Sequence, residues 1–121
     1  MRDEAFCPIY ASIDLLQEKW TLHIIRALLE GPLGFNELGR KVGANPSTLA
    51  QRLERLEENA IVERTLHSAM PPRTSYALTS AGMELQSVID ALACWASAHL
   101  KGPAEPAGSI ESGRDLLQTS K

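Results

Sequence analysis

Only two cysteines, Cys7 and Cys94, occur in 121 residues. They are too few and too far apart for a disulfide framework or a CxxC-type metal site, so both are expected as free thiols. Long apolar runs are also missing, and nothing in the chain could cross a bilayer as a helix. The opening MRDEAFCPIY mixes acids with a base and lacks an apolar h-region, so no signal peptide is visible and the cytoplasm is the expected location. The three histidines, His23, His67 and His99, are scattered, with no HExxH or paired-ligand spacing, which leaves no metal expected and no cofactor. An enzyme would need a nucleophile with a base or a carboxylate pair in a pocket, yet a Gly-rich phosphate loop, a GxSxG elbow and a metal cluster are all absent, so the chain does not read as an enzyme.

A chain of 121 residues with 44% hydrophobic content suits one modest domain, which buries roughly 70% of its unfolded surface. Net charge is −3, which argues against a non-specific nucleic-acid coat. The charge is unevenly placed: −2 over residues 1–34, +1 over 35–76, −2 over 77–100 and zero over 101–121. The acidity therefore lies outside the middle segment, which remains able to form a local basic surface.

Apolar spacing predicts a short first helix through Ile9, Ile13 and Leu16. In EKWTLHIIRALLEGP a second helix has Trp20, Ile24, Ala27 and Leu28 on one face and Leu22, Ile25 and Leu29 on other sides, so it is central to the core. Gly31-Pro32 stops it. Phe35, Leu38 and Val42 define a third helix over FNELGRKV. After the GAN turn, Asn45 caps and Pro46 starts a fourth helix, which runs to about Glu58. This is a helix-turn-helix arrangement.

Beyond Asn59 the period changes to two. Ile61 to His67 and Arg73 to Leu78 read as strands of a hairpin around SAMPP. Thr79 or Ser80 then caps one long helix with a continuous stripe of Ala81, Leu85, Val88, Ile89, Leu92, Trp95, Ala96 and His99. The expected fold is mainly α with a small β-hairpin wing, a winged helix-turn-helix occupying residues 1–100. Residues 101–121, rich in Gly, Pro and Ser, are expected to form a flexible tail.

On the fourth helix Leu49, Leu53 and Leu56 fall on one side, so Thr48, Gln51 and Arg55 point away from the core, with Ser47 and Arg52 flanking and Glu54 and Glu58 on the other edge. A donor-rich, cationic edge of this kind suits the major groove, where Arg pairs with guanine and Gln with adenine. Asn36, Arg40, Lys41, Ser47, Thr48, Gln51, Arg52, Arg55 and wing Arg73 are the candidate DNA contacts, on the condition that the basic residues of the middle segment share a side. The bland alternative is a solvated helix surface. The rival function is a winged-helix module that binds another protein and not DNA.

Several separate motifs then resemble a known family: Cys7-Pro8, the KWT of Lys19 to Thr21, FNEL at Phe35 to Leu38, the LxQRLxxLE of Leu49 to Glu57, and PPRxxYxLTxxG from Pro71 to Gly82. In order and spacing they are similar to the HxlR-type bacterial transcription regulators, winged-helix relatives of the MarR group, over about Cys7 to His99. The resemblance implies a homodimer on a pseudo-palindromic operator, with the first and last helices forming the interface. On this chain that interface would contain Ile9, Tyr10, Ile13, Leu92, Trp95, Ala96 and His99. Cys7 sits at the family's N-terminal cysteine, which senses oxidants in some relatives, and is the candidate redox thiol. The chain departs from the family in two places. Gln17-Glu18 stand where glycine is usual, a change expected to leave the fold alone, and Ala60 replaces a helix-ending glycine, so Asn59 is expected to supply the left-handed cap.

Overall fold

Residues 6–102 are described by the structure, a computed structural model. In chain order they form α1 (Pro8–Leu16), α2 (Thr21–Leu28), β1 (Leu33–Gly34), α3 (Phe35–Val42), α4 (Pro46–Glu58), β2 (Val62–Ala69), β3 (Pro72–Leu78), α5 (Ser80–Met83) and α6 (Gln86–His99). The expected flexible tail lies outside the described residues apart from Lys101 and Gly102.

Local chemistry accounts for most helix boundaries. The Cys7 sulfur accepts from the Tyr10 N–H at 3.5 Å at the start of α1, and Asn45 Oδ1 accepts from the Thr48 N–H at 2.9 Å at the start of α4. At α3, Glu37 reaches back so that its Oε1 accepts from the Gly34 N–H at 3.0 Å. Gly43 ends that helix at φ +89°, a conformation that carries no Cβ penalty for glycine. Trp20, expected on a face of the second helix, instead precedes α2 at φ +78°. It packs against the core from outside the helix.

The C-terminus of α4 corrects a second expectation. Asn59 does not take the left-handed position; it stays at φ −95°, and Ala60 adopts φ +59°. The reason is a Schellman arrangement in which the Ile61 N–H bonds to Leu56 O at 2.9 Å and the Ala60 N–H bonds to Glu57 O at 3.0 Å. That pattern requires the left-handed residue one position beyond the cap, which is Ala60 whatever its side chain.

The hydrophobic core joins Ile24, Ile25 and Leu28 of α2, Leu38 of α3, Leu49, Leu53 and Leu56 of α4, and Val62, Tyr76 and Leu78 of the sheet. Each fully buried Leu or Ile contributes about 1.5–3 kcal/mol. Phe35 and Tyr76 tilt against each other with centroids 6.4 Å apart. Burial pushes the Tyr76 hydroxyl above its ordinary pKa, with Glu57 adding to the rise.

The wing has three strands, in the order β1-β3-β2, all antiparallel. Leu33 and Gly34 pair with Tyr76 and Ser75, an element too short to carry a period in the sequence. The β2–β3 ladder runs from Val62↔Leu78 to Ala69↔Pro72, with an irregularity at His67. Ser68 and Ala69, expected in the loop, therefore belong to the strand, and the turn is Met70-Pro71.

The expected single C-terminal helix is two helices. Thr79 Oγ1 donates to Ala60 O at 2.7 Å and accepts from the Gly82 N–H at 3.1 Å, which pins α5 to the end of α4. A Cβ on Gly82 would strike the Ile61 carbonyl oxygen, so α5 lies closer to the sheet than any other residue there would allow. At the end of this pinned turn the Leu85 N–H bonds to Gly82 O at 3.0 Å, an i→i−3 bond that tightens the chain before α6 sets off. The expectation that the inner half of the stripe packs on the protein's own core is corrected in consequence. Leu85 packs against the core, Ala81 and Val88 are exposed, and α6 has no buried residue.

Candidate nucleic-acid interface

The α3–α4 pair positions most of the candidate contacts. Leu38 and Leu49 are fully buried and draw the two helices together. Gly39 lets them approach, since a Cβ there would sit 3.3 Å from Leu49 Cδ2. Between them lies a cleft lined by Phe35, Asn36, Gly39, Arg40, Ala44, Pro46 and Leu49. Asn36 and Arg40 are exposed on one side of it; Ser47 and Gln51 are exposed on α4, with Thr48 half-buried.

Charge divides α4 along its length. Pro46 to Leu53 contains no acid, whereas Glu54, Glu57 and Glu58 follow in the second half. Recognition helices touch bases mainly with their N-terminal residues, so the acid-free half is the one suited to a phosphate-rich ligand.

The candidate cations are not equivalent. Arg40 and Arg73 are exposed and have no ion pair among the described residues. Lys41 Nζ is 3.0 Å from Glu30 Oε1, an exposed pair that solvent can break easily. Arg64 Nε lies 3.6 Å from Glu57 Oε2. His67 Nε2 is 2.7 Å from Ser75 Oγ across the wing.

Arg52 and Arg55 depart from the expected cationic reading edge. Arg52 Nε donates to Lys19 O at 2.9 Å. Arg55 Nη2 is 3.0 Å from Asp14 Oδ2 and its Nη1 is 2.9 Å from Glu18 Oε2, with a third, longer contact of 3.5 Å to Asp14 O. The hydrogen bond that Arg55 donates to Asp14 is the largest influence raising the Arg55 pKa, and Glu18 adds to it. Both side chains are half-buried toward α1 and the α1–α2 link. Glu18, which stands where the family usually has glycine, leaves the fold as expected and is a partner of Arg55. The visible signal was two acids four residues apart facing two arginines three apart, a pattern that sequence alone could not assign to one contact.

The residues expected at a subunit interface lie on α1 and α6. Ile9, Tyr10 and Ile13 of α1 and Leu92 and Trp95 of α6 are exposed, as is Leu100. Ala96 is half-buried and His99 is exposed. Trp95 and His99 stack with centroids 5.3 Å apart. Cys7 and Cys94 are exposed free thiols. His23, expected in the core or an interface, is exposed beside Trp20 at a centroid distance of 5.7 Å. Among the described residues no three His, Cys, Asp or Glu side chains group as metal ligands, and no helix is long and apolar enough to cross a membrane.

Comparison with known proteins matches residues 15–103 to the HxlR-like helix-turn-helix family. An HTH-type transcriptional regulator of Synechocystis sp. is 37% identical over 87 residues, covering 71% of this chain and 64% of that protein's length. The regulator YodB of Bacillus subtilis is 36% identical over 92 residues, covering 74% of this chain and 82% of YodB. The reduced form of YodB superposes with a TM-score of 0.71 at 33% identity, covering 82% of this chain and 99% of that one. The oxidised redox regulator HypR gives a TM-score of 0.71 at 26% identity, covering 79% and 100% of the two chains. These relatives carry the names of regulators, not of enzymes.

Proposed function

The chain belongs to the HxlR-like helix-turn-helix family, and from that premise we propose that it is a transcription regulator that binds double-stranded DNA sequence-specifically as a homodimer on a pseudo-palindromic operator. One observation carries the reading. The acid-free first half of α4, held by the Asn45 cap and the buried Leu49 and Leu53, exposes Ser47 and Gln51, α3 exposes Asn36, and Arg40 and Arg73 have no ion pair among the described residues. Gln51 is suited to the adenine edge, Ser47 and Thr48 to bases or phosphate, and Arg40, Lys41 and Arg73 to phosphate. In this reading Arg55 does not read bases, because both terminal nitrogens are taken up within the protein, and Arg52 is held at its Nε by the Lys19 carbonyl.

Apolar exposure on α1 and α6 supports the dimer. A two-fold pairing through Ile9, Tyr10, Ile13, Leu92, Trp95, Ala96 and His99 would cover it and set two α4 helices about one DNA turn, roughly 34 Å, apart. Monomeric mass by sedimentation at micromolar concentration would defeat this part.

The main test is binding to a duplex from the gene's own upstream region across a salt series. Log affinity should fall steeply with log salt, and Arg40→Ala and Arg73→Ala should each reduce the slope by about one. Gln51→Ala should relax preference at one base pair, by about 1–3 kcal/mol. A flat salt response would favour a protein-binding winged helix.

Cys7 adds a redox reading, supported by the names of YodB's reduced form and of the redox regulator HypR. Its thiol is exposed at the start of α1, the helix proposed to pair with a second copy. Diamide should change operator affinity in the native protein and not in Cys7→Ser; equal behaviour of the two would remove the reading.

A further inference from the structure

Arg55 links α4, which carries most of the candidate DNA contacts, to α1, which carries exposed apolar residues. It comes from the last turn of the reading helix, and its partners Asp14 and Glu18 come from α1 and the link that follows. On α1, Asp14 and half-buried Leu15 and Leu16 turn inward, while Ile9, Tyr10 and Ile13 remain exposed. Asp14 follows Tyr10 by one turn of α1, so the partner of Arg55 and the exposed apolar residues share one short helix. No residue of α1 is fully buried, and its apolar packing on the core comes from Leu15 and Leu16 at its C-terminal end.

We infer that Arg55 is a positioning residue: clamped between Asp14 and Glu18, it fixes the reading helix against α1 and so sets the separation of the two reading helices across a dimer. The inference rests on the DNA-binding dimer proposed above. Three features favour a clamp over a DNA contact. Each terminal guanidinium nitrogen already has a carboxylate partner, at 3.0 and 2.9 Å. Reaching a base would break both contacts. The cluster of one cation and two anions also has a formal charge of −1, which repels phosphate.

Arg52 completes the arrangement. One turn earlier on the same edge, its Nε bonds to the Lys19 carbonyl, so two successive arginines hold consecutive parts of the 14–19 segment. Arginine suits such a site, because its planar fork holds two acceptors in fixed directions, which one ammonium cannot. Gln51 lies one turn from Arg55, about 6 Å along the axis, so a change of tilt at the clamp is transmitted directly to the reading residues. Adjacent base pairs are about 3.4 Å apart along the duplex, so a rotation of several degrees across a span of about 34 Å suffices to miss the register.

The experiment uses the full chain and a duplex that the native protein selects from a randomised pool, together with versions in which the half-sites are one base pair closer or farther apart. Native protein should lose about tenfold in affinity on either change of spacing. Arg55→Met should flatten that loss to below about threefold while leaving the preferred bases in each half-site unchanged. The pair Asp14→Asn with Glu18→Gln should do the same, and adding Arg55→Met to it should cause no further loss. Arg55→Lys, which keeps the charge but holds only one of the two acceptors, should restore only part of the discrimination. In DNA-free protein, hydrogen exchange of the α1 amides should be about tenfold faster in Arg55→Met than in native protein.

A changed base preference in Arg55→Met, with the acid-pair variant binding as native, would overturn the inference and make Arg55 a reader. Unaltered spacing discrimination would overturn it as well. If native protein bound no duplex at all, the DNA-binding proposal would fail on that result, and the exchange rates would still decide the clamp: unchanged α1 exchange refutes it.

Discussion

Helices α4 and α6 are nearly equal in length, 13 and 14 residues, and α6 is the more apolar of the two. Yet α4 buries Leu49, Leu53 and Leu56 almost completely, whereas α6 buries nothing. What separates them is the neighbourhood. The leucines of α4 meet α2, α3 and β2 from the same chain, while the stripe of α6 runs away from the sheet after Leu85. α1 resembles α6 in this respect, with Ile9, Tyr10 and Ile13 more than half exposed. An apolar stripe thus does not say by itself whether the protein's own core will cover it.

The largest test of this contrast strikes the covered helix. Leu53→Ala should cost about 2–5 kcal/mol in urea unfolding, because the site is enclosed on all sides and cannot collapse. Loss below about 1 kcal/mol would show that α4 is no better anchored than α6.

Gly82 marks where the covered region hands over to the uncovered one. Gly82→Ala should lower stability by about 2–3 kcal/mol, as its methyl meets the Ile61 carbonyl and the Leu78 side chain. Thermal denaturation will measure it, and an unchanged midpoint would mean that α5 is free to move off the sheet.

Smaller in free energy, and different in kind, is the effect expected at the exposed stripe. Trp95→Ala should weaken self-association by about tenfold in sedimentation equilibrium, or roughly 1.4 kcal/mol, without loss of helical circular dichroism. A native dimerisation constant would sharpen the contrast differently, by showing that α6 is not the covering surface.

The smallest change should be a gain. Ala60 adopts a left-handed backbone at the end of α4 without glycine's freedom, so Ala60→Gly should raise stability by up to about 1 kcal/mol. A loss would show that the methyl contributes more than the backbone strain costs.

Much of the site could be read from the residues. The bounds of α3 and α4 follow from Phe35, Leu38, Val42 and the Asn45-Pro46 start, and the covered side of α4 follows from three leucines at helical spacing. The roles of the two arginines could not be read so. A helical wheel separates inside from outside but cannot say which outside residue meets another element, and Arg55 meets Asp14 from 41 residues earlier. The third strand escaped for a different reason: Leu33–Gly34 has no pattern of its own and becomes a strand only because β3 offers it an edge.

Periodicity, caps and charge placement are properties of neighbours along the chain, and they determined the helix-turn-helix, the existence of the wing and the acid-free start of α4. The tertiary structure decided what depends on distant partners: the left-handed position at Ala60, the break before α6, the bareness of the α1 and α6 faces, and the capture of Arg55 by two carboxylates. Those outcomes require two segments to arrive at one place, and a hydrogen bond or contact between them has no period for a sequence to display.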